Sequence, residues 1–303
     1  MERQEHHVMK IAFVGAGNMG GAVARRLATG GHDVHVYDLD PAAVARCVDA
    51  GAGAADSAEA AVKDAAVVVT SLPLPDHVRS VWGDLIPHLA EGAVGVDVST
   101  IDPATADALT AALGDAGHAF VHCALGKTPA AAEQGAIPLF VGGPADAVET
   151  LRPLFARMGE KTYDFGSPGA AAMFKLVSNM IGMTNVAVLA EGYALARRAG
   201  ITPDMFSEAL RDTGAFSFQS DVRLPWIVAG DYAPRFGAAL AAKDVRLAVD
   251  SAARWGVPTP VAAQGLSQLV AAVAHGYGSE DVVAVHKLVA PTDTAPADKE
   301  ERS

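Results

Sequence analysis

Gly15, Gly17 and Gly20 stand in G-x-G-x-x-G spacing inside VGAGNMGGAVARRL, directly after the apolar run KIAFV (10–14) and ahead of a helical pattern carrying Val23 and Leu27. In that context the turn aims backbone N–H groups at the pyrophosphate of a dinucleotide. A plain tight turn with a surface Asp is the alternative, since glycine turns join strand to helix in any α/β fold. The next run, DVHVY (33–37), leads into Asp38, 18 residues past Gly20, where a carboxylate accepts hydrogen bonds from an adenosine ribose. A 2′-phosphate there meets repulsion, and Leu39-Asp40 brings no arginine to neutralise it. NAD is therefore expected over NADP.

Lys175 and Asn179 lie four residues apart, hence on one face of a helix. Burial in so apolar a segment favours the neutral amine, and the positive nicotinamide of an oxidised cofactor pushes the same way. Such a lysine can protonate the alkoxide formed in carbonyl reduction, or take the hydroxyl proton in alcohol oxidation. Asn179 can hold the reacting oxygen or an adjacent hydroxyl. A snorkelling lysine in the first turns of a helix is the plain alternative.

Between Ser80 and Leu151, Lys127 is the sole Lys or Arg, in ALGKTPAAAEQG (124–135). Gly126 permits close backbone approach, and Lys127, the Thr128 hydroxyl and main-chain N–H groups can hold a small anion. A solvated loop lysine is the competing reading. SLPLP (71–75) and DVSTIDP (97–103) end two further apolar runs at the carboxyl edge, where ligands bind. Ser99 and Thr100 either line a nicotinamide pocket or cap the helix that begins near Pro103.

These residues need a scaffold. The chain has 303 residues, 50% hydrophobic and 19% charged, enough for a substantial core and two domains. A net charge of −12 disfavours nucleic acid and anionic lipid as partners. MERQEHHVMK shows no apolar run of signal-peptide length, and Cys47 and Cys123 match no disulfide or metal spacing, so a cytoplasmic protein with reduced thiols and no metal is expected. Apolar runs at 10–14, 33–37, 65–72, 92–99, 118–123 and 137–143, with Ala-rich helical segments between the first five, imply a parallel sheet covered on both sides. KTYDF (161–165) is a candidate last strand. A long helix over 170–199 follows, apolar nearly all round and expected to be buried; a membrane span is its rival, interrupted by Lys175, Asn179, Asn185 and Glu191. Further helices are expected at 203–212, 219–229, 238–255, 260–275 and 280–289, and a solvated tail at 292–303.

Taken together, GAGNMGGAVARRL, DVSTIDP, GAAAMFKLVSN and FGAALAAKD resemble, in order, the motifs of the β-hydroxyacid dehydrogenase family, over about Lys10 to Ala290. The resemblance implies an α/β Rossmann domain with a mostly parallel doubly wound sheet (9–166), then an all-α C-terminal domain (167–291) that begins with a long interdomain helix. It also implies homodimers or homotetramers. It makes Lys175 the catalytic residue, with cofactor contacts at Gly15, Gly17, Asn18, Met19, Gly20, Asp38, Leu72, Pro73, Thr100 and Lys243. Ser99, Gly126, Lys127, Thr128, Asn179 and Phe236 become substrate contacts. Many members read Asp-Ala-Pro-Val-Ser-Gly-Gly where this chain has His122 to Thr128. The Gly-Lys-Thr version is more similar to the sulfolactaldehyde reductase branch, where a basic residue helps bind the sulfonate, although Ala136 replaces the usual Thr or Ser. Cys123 borders this loop without a base or metal partner and reads as packing. The expected substrate is a small anionic 3-hydroxy acid or semialdehyde with a sulfonate or carboxylate head. An imine reductase or a non-catalytic cofactor-binding protein are the rival classes, and the presence of Lys175 speaks against both.

Overall fold

The computed structural model describes residues 8–290; the tail expected at 292–303 and the first seven residues lie outside them. Two compact units result, one reaching Val177 and the other starting at Ser178.

In the first unit the chain runs β1 (Lys10–Val14), α1 (Asn18–Thr29), β2 (Asp33–Tyr37), α2 (Pro41–Val48), β3 (Gly53–Ala54), α3 (Ala58–Val62), β4 (Val67–Thr70) and α4 (Pro75–Leu85). It continues with β5 (Val94–Asp97), α5 (Pro103–Asp115), β6 (Ala119–Leu125), α6 (Pro129–Glu133), β7 (Pro138–Gly142), α7 (Ala145–Met158) and β8 (Lys161–Asp164). The eight strands form one sheet in the order β3-β2-β1-β4-β5-β6-β7-β8. Every pairing is parallel except β6 with β7.

Inward side chains alternate between the two faces of this sheet, and each face is covered by helices. Ile11, Phe13, Val69, Val96, Val121 and Leu139 pack against Leu27, Cys47 and Phe155 from α1, α2 and α7. On the other face, Ala12, Val68 and Phe120 meet Val62, Trp82 and Leu109 from α3, α4 and α5. Helix starts follow the sequence signals: Asp40, Ser57 and Asp102 cap α2, α3 and α5 through their side chains, with Pro at the first position of α2 and α5.

α8 (Pro168–Arg198) spans the division between the units, and its 31 residues reach about 46 Å. Its length and composition would suffice to cross a bilayer. Ala172 belongs to the core of the first unit, and Val186, Ala190 and Tyr193 to that of the second. This helix was expected to be buried rather than solvated, and the structure corrects that on one side: Phe174, Ile181, Val188 and Leu195 are exposed. Their seven-residue spacing puts them on one face, a stripe an all-round apolar sequence cannot reveal.

The second unit continues with α9 (Pro203–Arg211), α10 (Phe218–Ala229), α11 (Ala238–Arg254), α12 (Pro260–Ala272) and α13 (His286–Val289), around Leu189, Leu224, Ile227, Val245, Leu269 and Val283. The helix expected over 260–275 stops at Ala272 and passes into a π turn over Val273–Tyr277, in which Gly276 has φ 87°. The helix expected over 280–289 opens instead as a 3-10 turn (Val282–Val285) capped by Asp281. That buried carboxyl also accepts from Arg223 Nη1 (2.7 Å) and the Phe236 backbone N–H (2.9 Å).

Candidate active site

At the carboxyl edge of the sheet, β1 and β4 are neighbours while their following helices lie on opposite faces, which opens a crevice at the strand ends. The glycine turn sits there. Gly15 has φ +94°, and a Cβ on it would lie 2.2 Å from the Ser71 carbonyl oxygen. Gly20 is equally closed, with Ser71 Cβ 2.6 Å from where its own Cβ would be. Around Gly17, by contrast, no atom lies within 4 Å of that position. Two glycines are thus demanded by packing, whereas position 17 has room for a side chain; it lies in front of α1, whose N-terminus has no side-chain cap and begins with Asn18 and Met19. An uncapped helix end with bare backbone fits the pyrophosphate of a dinucleotide.

Asp38 follows β2 and is held from two sides. Its Oδ2 accepts from the Ala16 N–H at 2.5 Å, and its Oδ1 from the Asp40 N–H at 2.8 Å. The acid is therefore fixed beside the glycine turn.

Leu72 and Pro73 follow β4, and Ser99 follows β5. Ser99 Oγ donates to Asp97 Oδ1 (2.7 Å) and accepts from the Leu72 N–H (2.9 Å). Asp97 is fully buried; its Oδ1 also accepts from Thr70 Oγ1 at 2.7 Å and its Oδ2 from the Ser99 N–H at 3.2 Å. Asp102 caps α5, accepting from the Thr105 N–H, so neither Ser99 nor Thr100 caps that helix. The Ser99 hydroxyl is spent on internal bonds and bears on the crevice through the Leu72 turn.

Along α8, Lys175 and Asn179 share a face as expected. Within the second unit, Asn179 Nδ2 donates to Asp244 Oδ2 at 2.6 Å. Asp244, on α11, is 2% exposed, and Lys243 Nζ stands 2.8 Å from its other oxygen. Phe236 sits just before α11, its N–H fixed by Asp281 and its ring against the helical core.

The loop after β6 ends at the same sheet edge, because β5 and β6 are parallel. Its details differ from the open cradle read from sequence. Gly126 lacks room because of Pro138, whose Cγ would meet a Cβ at 2.5 Å. Thr128 caps α6 through its side chain. Lys127 has φ 59°, the one positive φ at a non-glycine position among the described residues. Its ammonium reaches the Ala136 carbonyl (2.7 Å) and Glu160 Oε1 (2.6 Å). Burial, then the charge of Asp97, pushes the Cys123 thiol well above its ordinary range, in keeping with a packing role. Asp97, Asp244 and Glu160 were not singled out from sequence, although the first two stand inside the motifs DVSTIDP and FGAALAAKD.

Comparison with known proteins agrees with this geometry. Residues 10–166 match the family model for the NAD binding domain of 6-phosphogluconate dehydrogenase. Residues 169–289 match the model for the NAD-binding region of NADP-dependent 3-hydroxyisobutyrate dehydrogenase. An NAD-dependent L-serine dehydrogenase of Pseudomonas aeruginosa is 34% identical over 293 residues, covering 93% of this chain and 98% of its own. The 3-sulfolactaldehyde reductase of Escherichia coli is 33% identical, covering 92% and 95%. Among solved structures, Mycobacterium tuberculosis 3-hydroxyisobutyrate dehydrogenase with L-serine has a TM-score of 0.87 at 26% identity, covering 93% of this chain and 99% of its own. The chain therefore belongs to the β-hydroxyacid dehydrogenase family and is an NAD(P)-dependent hydroxyacid dehydrogenase.

Proposed function

We propose that the chain interconverts a small 3-hydroxy acid and its semialdehyde, with NAD as the preferred dinucleotide and Lys175 as the general acid and base. NAD, when bound, supplies the hydride acceptor. In the oxidative direction the substrate hydroxyl gives its proton to Lys175 Nζ; in the reductive direction Lys175 returns it to the forming alkoxide. Asn179, one helical turn on, orients the reacting oxygen or its neighbour. The observation that carries this reading is the placement of Lys175 and Asn179 on one face of α8, with the Asn179 amide fixed by Asp244 at 2.6 Å.

The head group is assigned to the loop at Gly126, Lys127 and Thr128, and an anion is the class it suits. Lys127 supports a sulfonate, and the sulfolactaldehyde reductase similarity points the same way. The Glu160 contact tempers that charge, and the serine dehydrogenase is as similar, so carboxylate substrates share the assignment. Homo-oligomer formation belongs to the same proposal, supported by the exposed stripe on α8.

The test is turnover by NADH absorbance on a panel of L-serine, 3-hydroxyisobutyrate and a dihydroxypropane sulfonate, for wild type and Lys175→Ala. We expect activity on at least one compound, lost by about 10²–10⁴-fold in the variant while NADH binding persists. Undiminished turnover in Lys175→Ala would remove that residue from the mechanism.

A further inference from the structure

A row of polar side chains crosses the face of the sheet covered by α3, α4 and α5, one residue from each of three adjacent strands. Thr70 of β4 is registered with Asp97 of β5, and Asp97 with His122 of β6. All three are completely buried. His122 Nδ1 lies 3.4 Å from Asp97 Oδ2, and neither ring nitrogen makes a hydrogen bond among the described residues. A completely buried histidine without such bonds is costly, and such groups call for an explanation.

The row has two ends. On one side Asp97 holds Ser99, Ser99 holds the Leu72 N–H, and the adjoining Ser71 presses on both Gly15 and Gly20. On the other side His122 is registered with Gly142, where a Cβ would fall 2.0 Å from the Ser167 carbonyl oxygen at the foot of α8. Lys175 lies two turns further along that helix. His122 thus stands between the turn that abuts the dinucleotide cradle and the root of the helix that carries the proposed acid and base.

We propose that His122 is a positioning residue: its buried ring, with Nδ1 3.4 Å from Asp97 Oδ2, packs against the Asp97 carboxyl group and, through Asp97 and Ser99, steadies the Leu72 turn against the glycine turn, and so influences how the dinucleotide is held for hydride transfer. The Asp97 carboxyl group has three donors from Thr70 and Ser99, and His122 Nδ1 occupies the remaining side of Oδ2. Replacing that ring removes the packing on one flank of Asp97 while its three hydrogen bonds remain, and the looser carboxyl group passes a shift to Ser99 and Leu72. This inference rests on the dinucleotide assignment made above.

The test compares His122→Leu, His122→Gln and His122→Asn. The asparagine amide nitrogen takes the place of Nδ1, whereas glutamine carries its nitrogen near the Nε2 position. NADH affinity is read by fluorescence titration, and kcat and KM on whichever hydroxy acid the wild type oxidises. Expected is about a fivefold weaker NADH affinity and a tenfold lower kcat for leucine and glutamine, little change in KM for the hydroxy acid, and recovery to within about twofold for asparagine. Should the leucine variant fail to fold, the glutamine and asparagine pair carries the comparison. Equal impairment in all three variants, or wild-type NADH affinity and kcat in the leucine or glutamine protein, would overturn the proposal. A wild type that binds NADH yet oxidises none of the compounds would sink the proposed activity instead, and the affinities alone would then decide the role of His122.

Discussion

Asn179 donates to Asp244 Oδ2 at 2.6 Å while Lys243 Nζ stands 2.8 Å from Oδ1, so the amide of Asn179 has one orientation that gives Oδ2 this donor. Its Nδ2 side is committed to the protein, which leaves the amide oxygen to meet a hydroxyl. Asp244→Asn permits the flipped amide. We expect kcat/KM for the hydroxy acid to fall by about tenfold, equivalent to about 1.4 kcal/mol. Steady-state kinetics of this variant beside Asn179→Ala would show it; an unchanged Asp244→Asn protein would mean that the orientation carries no weight.

The Asp38 carboxyl accepts two backbone N–H groups, so replacing it by alanine would loosen the glycine turn as well as remove a charge. Asp38→Asn removes the charge and keeps one of the two acceptors, its amide nitrogen facing the other N–H. Wild type is expected to favour NAD over NADP by at least about tenfold in kcat/KM, and the asparagine variant to narrow that ratio chiefly by admitting NADP. An NADP preference in the wild type would contradict this reading of the acid.

Lys127 and Glu160 are 41% and 51% exposed, so their ion pair is worth no more than about 1 kcal/mol and an incoming anion can displace it. Glu160→Gln should lower KM for an anionic substrate severalfold, and Lys127→Met should raise it by about tenfold, both with NADH affinity nearly constant. Opposite shifts of this kind would show that the acid restrains the lysine. Equal KM values in both variants would place the head group elsewhere.

Both cysteines are buried, and burial raises both thiols above their ordinary values. A native-state thiol titration near pH 8 should therefore count none, and one in denaturant two. Because the unfolded thiols ionise first, the stability tied to them is intact below about pH 8.5 and declines as pH rises beyond it. Cys123→Ala should flatten the alkaline limb of a Tm-against-pH profile; an identical limb would show that other groups set it.

Local pattern carried most of the architecture. KIAFV and DVHVY coincide with β1 and β2, and Thr202-Pro203 opens α9 as its cap and first residue. What escaped is non-local. The reversal of β7 depends on a connection holding only the five-residue α6, too little helix for the usual parallel crossover, and nothing within 137–143 announces strand direction. β3 has two residues and no periodicity to read. In the candidate site, the glycine turn and the Asp38 that bonds it at Ala16 were legible because they follow consecutive strands at a fixed spacing. Asp244 and Glu160 were not, since their partners Asn179 and Lys127 lie 65 and 33 residues away.

With the head group held by Lys127 as proposed, the left-handed backbone there sets folding and recognition against each other at a single codon. Glycine would rest there without the roughly 1–2 kcal/mol that a side chain incurs in that conformation. A library selected only for heat resistance would therefore drift toward glycine at 127 and shed the ammonium proposed to meet the head group, while one selected for catalysis would, on that proposal, keep the less comfortable residue.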